Sequence, residues 1–393
     1  MLCNRPAAKA YRAPGAPQVN FAVESAMDEL AGKLGIDPLE LRLKNAVVEG
    51  DPQTTGLPWG RIGYVECLEA AKAHPHWSAP LGPNQGRGIA GGYWGNYGGP
   101  STVNVSVAED GTVTVATGSP DIGGSRASMA IMAAEVLDIP YERVRAVVAD
   151  TASIGVSMVT GGSRTTFATG MATVQAAEEV KRILCERAAR IWGVAADQVE
   201  WRSGEVTCLD GEKQGQVMSA AAIAGRSFHS GGPIAAVAAL SAKGWLPGFG
   251  VHICDTEVDP ETGHVKIVRY TAIQDVGIAI HPDYVEGQIQ GGAAQGIGWA
   301  LNEAYIYSKD GKLDNAGFLD YRMPVASDLP MIEAVLVEVP NPSHPYGVKG
   351  VGEVPIVPPL AAVANAIHAA AGVRLKDLPM APDRVYAALH PEG

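Results

Sequence analysis

The sequence predicts a loop-rich α/β protein, an α+β arrangement of mixed sheets with packed helices, on three observations. With 393 residues, 47% of them hydrophobic and 18% charged, the chain can bury a sizeable core and lacks the composition of a disordered one. Period-two runs such as STVNVSVAEDGTVTVATGS alternate with long Ala-rich stretches, so strands and helices share the chain. The 47 glycines and 27 prolines, against 6% aromatics, suit turns that come close to a ligand.

Composition also excludes function classes. A formal net charge of −12 with no long basic run argues against nucleic acid or an anionic membrane as partner. The five cysteines (Cys3, Cys67, Cys185, Cys208 and Cys254) are odd in number and form no C-x-x-C pair, so neither zinc nor iron–sulfur spacing is present. A reducing compartment fits them, and a cytoplasmic location is expected. No apolar run approaches the ~20 residues of a membrane-spanning helix, and the opening MLCNRPAAKAYRAPG lacks a signal-peptide core.

Taken in order, residues 11–18, YRAPGAPQ, form a fixed loop whose one charge is Arg12. A helix is expected over 19–34, with Phe21, Val23, Met27, Leu30 and Leu34 as its apolar stripe and Glu24, Asp28 and Glu29 on the other faces. Asp37-Pro38 opens a second short helix. Residues 75–85, PHWSAPLGPNQ, read as a domain boundary. Tyr93, Trp94 and Tyr97 then sit among glycines, either packed or clamping a planar substrate. Asp110-Gly111 marks a hairpin turn.

Two Gly-Gly-Ser turns precede helices: residues 121–126, DIGGSR, and 159–166, VTGGSRTT. Free N–H groups at a helix start make such turns anion cradles. A small β-rich insertion is expected over 196–225, a loop over 244–250, and two strands about Glu261-Thr262-Gly263. His281-Pro282 leads into a helix over 284–301, YVEGQIQGGAAQGIGWAL, whose Gly and Ala content admits a close neighbour. Gln288 and Gln295 share one face, and a Gln on an apolar helix needs a hydrogen-bond partner. His252, His264, His281 and His344 lack metal-ligand spacing and read as structural.

The last motif, residues 346–359, YGVKGVGEVPIVPP, holds one carboxylate, Glu353, among Gly, Val, Pro and Ile. It is either a turn with its acid in solvent or an acid in an apolar setting. Such a setting disfavours the charged form and makes general acid–base chemistry accessible near neutral pH. Neither GVKGVG nor QGIG has the strand–turn–helix context of a dinucleotide-binding turn.

The segments AYRAPGAPQ, LGIDPLELRLKN, TGGSRTT, EGQIQGGAAQGIG and GVKGVGE occur in one order over nearly the whole chain. Together they resemble the molybdenum-binding subunit of the xanthine dehydrogenase/aldehyde oxidase family. The resemblance implies molybdenum-cofactor-binding domains: the end of a first domain at 1–80 and a second at 81–393, with subdomains at about 81–240 and 241–393. It makes Glu353 the catalytic base. It places Arg12, Ala13, Gly123, Gly124, Ser125, Gly161, Gly162, Ser163, Arg164, Thr165, Gln295 and Gly352 on the molybdenum–pterin cofactor, and Pro14, Tyr93 and Trp94 in the substrate pocket. No protein residue would ligate the metal.

Relatives usually carry Gly-Gln-Gly where this chain has Gly123-Gly124-Ser125, so one side-chain contact is missing. Ala13-Pro14 stands where the carbon monoxide dehydrogenase branch carries a Cys, which removes that branch. The resemblance is to the C-terminal half of a large subunit. It implies separate chains for the N-terminal half, for a [2Fe–2S] subunit and for an FAD subunit, with the pterin as a cytosine dinucleotide. The implied reaction is hydroxylation of an electron-poor C–H of an N-heterocycle or purine with water as oxygen source. An aldehyde oxidoreductase or a non-catalytic scaffold half is the alternative.

Overall fold

The computed structural model describes residues 7, 9–244 and 246–391. Cys3, Trp245 and part of the stretch on which the leader expectation rests lie outside the described residues. The chain forms two compact units: Met1–Gly95 with Leu246–Asn341 and Val351–Gly393, and Asn96–Trp245 with Pro342–Gly350. Both units are discontinuous, whereas the expected division at about residues 80 and 240 runs along the chain.

The first unit opens with helix α1 (Ala16–Leu34), entered through Gly15 at φ 83° and closed by Gly35 at φ 66°. Its orientation corrects the sequence expectation. Val23, Leu30 and Leu34 are exposed, and Glu24 is buried. Glu24 faces inward because Arg42 Nε and the Gly91 N–H both donate to its Oε2, each at 2.7 Å. Arg42 comes from helix α2 (Pro38–Lys44), whose Asp37 cap accepts from the Leu39 and Glu40 N–H groups. Helix α3 (Tyr64–Ala73) and strand β1 (Gln85–Trp94) follow.

The second unit starts with β2 (Gly99–Val107) and β3 (Val113–Thr117), the hairpin expected about Asp110-Gly111. Helix α4 (Ser125–Leu137), strand β4 (Val144–Val148) and the long helix α5 (Gly170–Trp192) come next. Then β5 (Val199–Arg202), β6 (Glu205–Cys208) and β7 (Val217–Ser219) build the small insertion, and β8 (Ile234–Ala242) closes the main sheet in the order β4-β3-β2-β8. Val103, Val105, Val113 and Val115 of the sheet pack against Met129, Ala133 and Leu137 of α4 and Ala176, Val180 and Leu184 of α5.

The chain returns to the first unit with β9 (Gly248–Val258), which takes up the end of the expected 244–250 loop, and β10 (Val265–Asp275). Helix α6 (Pro282–Leu301), strand β11 (Ile332–Val337), helix α7 (Pro359–Ala371) and helix α8 (Pro382–Leu389) complete it. The sheet runs β1-β9-β10-β11. Period-two alternation sends Ile89, Val251, Ile253 and Ile273 toward Leu39 of α2 and Leu68 of α3, and Ala90, Cys254, Tyr270 and Ala272 toward α6 and α7. The result is three layers, helices on both faces of a mixed sheet.

Helix α7 lies directly on β1. A Cβ on Gly86 or Gly88 would run into its backbone at Ala370 and Ala362. The expectation of no long apolar run also needs correction: 354–371 is an 18-residue apolar stretch, but 78% of it is buried in this unit's own core. On the α3 side, Arg87 and Asp255 pair across β1 and β9 at 2.8 Å, and His76 joins Asp255 at 3.1 Å. Burial works to raise the Asp255 carboxyl, but hydrogen bonds from His76 and Arg87 outweigh it and hold it below its ordinary value.

Candidate functional site

In the first unit the site is built where the 11–15 loop meets the 351–359 segment on α6. Glycines make the meeting possible. A Cβ on Gly292 would sit 2.6 Å from Pro355 Cγ, and one on Gly296 would sit 2.6 Å from Pro359 Cβ. The close neighbour that the composition of α6 admits is therefore the proline-rich segment itself. Asn20 of α1 secures that segment, donating to Gly91 O at 3.0 Å and Val357 O at 3.1 Å.

Glu353, half-buried, caps the short 3-10 turn Val354–Ile356. Its Oε1 accepts the Ala13 N–H at 2.9 Å. Ala13 is fully buried and holds φ 54°, a left-handed conformation that non-glycine residues seldom adopt. Arg12 donates from Nε to Gly352 O at 2.6 Å, from Nη2 to Gln288 O at 2.9 Å and from Nη1 to Gln295 Oε1 at 3.3 Å. Burial pulls the guanidinium below its ordinary value, while Tyr11 and Glu353 work the other way. The structure thus brings Arg12, Ala13, Gln295, Gly352 and Glu353 together. Gln295 does have the partner its position demands, and the Gly352 carbonyl is engaged by the protein.

Tyr93 and Trp94 do not form a clamp. As neighbours on β1 they point to opposite faces. Trp94 packs on the Ala13, Ile356 and Val357 cluster. Tyr93, 45% exposed, stacks on Phe249 at 5.2 Å and meets Trp59 edge-on at 5.5 Å. Pro14 is exposed on the loop. A cavity of about 690 Å³, missed by sequence reasoning, opens beside Tyr11 and Gln295, with Glu303, Tyr305, Phe318 and Tyr321 on its walls. Tyr321 donates to Glu303 Oε2 at 2.8 Å. The aromatic residues Tyr305, Phe318 and Tyr321 are the sequence signal that could have marked it.

In the second unit both Gly-Gly-Ser turns form as expected. Gly123 (φ 66°) and Gly124 (φ 77°) lead into Ser125 at the start of α4. That turn already holds an anion of its own. Asp121 accepts from the Arg126 N–H at 3.0 Å and pairs with Arg126 Nε at 2.7 Å. The other turn carries Gly161, Gly162 (φ 67°) and Ser163 (φ 52°), and Thr165 begins a wide π-helical turn, Thr165–Thr169, that enters α5.

Arg164, expected to reach a ligand, does not present its side chain. It is 1% exposed and donates to the carbonyls of Gly98, Met158, Gly99 and Pro100 and to Ser101 Oγ. Its guanidinium therefore holds the turn, and a ligand at this position would meet backbone.

The surroundings of this second turn fit a polar ligand. Asn96 is 1% exposed, and neither atom of its carboxamide has a hydrogen-bond partner among the described residues. A Cβ on Gly350 would lie 2.7 Å from Asn96 Oδ1 and would collide with Ser163, while one on Gly162 would press on the Tyr97 ring at 2.7 Å. A bare backbone cradle with an orphaned amide beside it suits a group rich in acceptors and donors, such as a pterin with its phosphate.

Comparison with known proteins agrees with this geometry. Residues 65–330 match a family model described as a molybdopterin cofactor-binding domain, and residues 1–46 match a second model of the same description. The chain is 34% identical to the xanthine dehydrogenase molybdenum-binding subunit of Escherichia coli O157:H7, over 99% of this chain and 54% of that protein. It is 33% identical to an aldehyde oxidoreductase of Megalodesulfovibrio gigas, over 97% of this chain and 41% of that protein. The solved quinoline 2-oxidoreductase of Pseudomonas putida 86 superposes with a TM-score of 0.85 at 25% identity, over 97% of this chain and 53% of its own. The chain spans about half the length of the curated relatives it matches.

Proposed function

The chain belongs to the molybdopterin cofactor-binding family, and from that premise we propose that it is the catalytic molybdenum-cofactor part of a multi-subunit hydroxylase. It oxidises an electron-poor C–H of an N-heterocycle or purine with oxygen from water, in the cytoplasm. The observation that carries this reading is the oriented carboxylate: Glu353 held at 2.9 Å by the Ala13 N–H among apolar side chains. A positioned carboxylate of this kind accepts a proton from the water that supplies the oxygen. The molybdenum of the pterin cofactor, a cytosine dinucleotide, would supply Lewis acidity and two-electron redox chemistry when bound. Gly161, Gly162, Ser163 and Thr165 would hold its phosphate by backbone, Gly123, Gly124 and Ser125 would add a second backbone contact, and Gln295 would help hold the pterin. The N-terminal half of the subunit, a [2Fe–2S] chain and an FAD chain are the partners. The resemblance to an aldehyde oxidoreductase at 33% identity supports a second reading, an aldehyde as substrate.

Glu353→Gln tests the proposal because it keeps shape and polarity but cannot accept the proton. In the assembled, molybdenum-replete complex, single-turnover reduction by substrate should fall roughly 10²–10⁴-fold with cofactor content unchanged. Reduction within about threefold of wild type would make Glu353 a structural residue and end the proposal.

A further inference from the structure

We infer that Arg12 is a positioning residue for Glu353: the Arg12-Ala13 pair grips the Gly352-Glu353 pair at two points and so fixes the direction of the carboxylate. The inference rests on the reading of Glu353 as the base and goes beyond it by assigning what aims that base.

The side chains of Ala10, Ala13, Pro14 and Ala16 on the loop offer the Arg12 guanidinium no acceptor. Its guanidinium instead reaches residues 276 to 340 positions away. One N–H takes the Gly352 carbonyl at 2.6 Å, on the peptide that leads into Glu353. The next residue's main chain takes Glu353 Oε1 at 2.9 Å. Side chain and main chain of adjacent residues thus hold carbonyl and carboxylate of adjacent residues. Two contacts on neighbouring groups limit the swing of the carboxylate.

The second half of the guanidinium anchors the grip to α6. Its Nη2 meets Gln288 O at 2.9 Å and its Nη1 meets Gln295 Oε1 at 3.3 Å. Space for this fork depends on a missing side chain, because a Cβ on Gly292 would lie 3.1 Å from Arg12 Nη2. Ala13 contributes its left-handed φ of 54°. An unusual backbone conformation at a residue whose N–H meets the proposed base marks a geometry that the surrounding contacts hold in place. Lys could supply the charge but not the planar fork.

The experiment compares Arg12→Gln, Arg12→Lys and Gly292→Ala with Glu353→Gln in the assembled holoenzyme. The measurements are kcat, KM, the pH–rate profile, and molybdenum and pterin content. Arg12→Gln should lower kcat on the order of 10²-fold, the usual effect of a misplaced catalytic group, with KM and cofactor content unchanged. Its acid limb should move to higher pH, because a cation beside the base is gone. Arg12→Lys should keep the acid limb in place and recover only part of the rate, and Gly292→Ala should lose rate likewise. Added guanidinium ion should restore rate to Arg12→Ala, which keeps the test usable if the Gln variant assembles poorly. Loss of molybdenum and pterin in step with activity would make Arg12 a cofactor ligand and overturn the inference. So would a wild-type rate and pH profile in Arg12→Gln. An active Glu353→Gln control would instead overturn the assignment of the base itself.

Discussion

Two arginines, each in a Gly-rich or Pro-rich loop, look alike in the sequence and do opposite things in the structure. Arg164 ties its loop to the start of β2, meeting acceptors at 98–101 as well as at 158 within its own loop. Arg12 crosses to two elements hundreds of residues away and ends beside a carboxylate. Both loops need glycine or left-handed backbone, and both arginines suit an anionic ligand on chemical grounds. What separates them is the identity of the acceptors. A guanidinium taken up by backbone carbonyls and a hydroxyl sets the shape of a loop. One that ties distant segments at a reactive group sets the geometry of a reaction.

The contrast breaks first on stability. Arg164→Met should leave several buried acceptors without donors and destabilise the second unit by roughly 3–5 kcal/mol. Denaturant titration followed by hydrogen exchange on peptides of that unit would measure it. Arg12→Gln should cost far less there and act on rate instead. Equal losses of stability in the two variants would dissolve the distinction.

A pH titration sharpens the same contrast with a smaller effect. His344, in the second unit, is pushed down to about 4 by burial, and its Nδ1 accepts the Tyr346 N–H at 3.0 Å, so it is buried neutral. Its folded pKa lies below the unfolded value of 6.5. The unfolded chain therefore binds the extra proton first, and stability is full above about pH 6.5 and falls as pH drops toward the folded pKa. The slope should approach about 1.4 kcal/mol per pH unit. His252 in the first unit is pushed down to about 3 by burial and adds a second contribution over a longer window. His344→Gln should remove the second unit's share, read as urea midpoints between pH 7 and 4.5.

The smallest effects come from the turns. Gly123→Ala puts a side chain at a positive φ of 66°, worth about 1–2 kcal/mol. Gly162→Val adds pressure on Tyr97 and should cost more. In the assembled complex both should lower molybdenum and pterin content while the fold persists. Full occupancy in both variants would remove these turns from the cofactor site.

Sequence patterns announced whatever is local. Asp37-Pro38 started α2, Asp110-Gly111 turned a hairpin, and Gly-Gly-Ser turns preceded α4 and lay ahead of α5. The order of motifs announced the family, which the match over residues 65–330 bears out. What stayed hidden depends on distant partners. Glu24 reads as a solvent residue until Arg42 and the Gly91 N–H are brought to it. The glycines of β1 read as flexibility until α7 lies on them. Asn96 carries no pattern at all, because an orphaned amide is visible only once its surroundings are known.

The contact between β1 and α7 also bears on how the protein is made. The bare backbone of Gly86 and Gly88 is shaped for a helix that the ribosome delivers about 270 residues later, at Pro359–Ala371. At about 5–20 residues per second, that is a wait of roughly 14–54 s. During it, the second unit, apart from Pro342–Gly350, is synthesised while β1 has an uncovered face. A glycine-rich strand with an open apolar face is what holdase chaperones and mispairing strands bind. Slowing translation between residues 95 and 359 should therefore lower the soluble yield more than slowing it after residue 371.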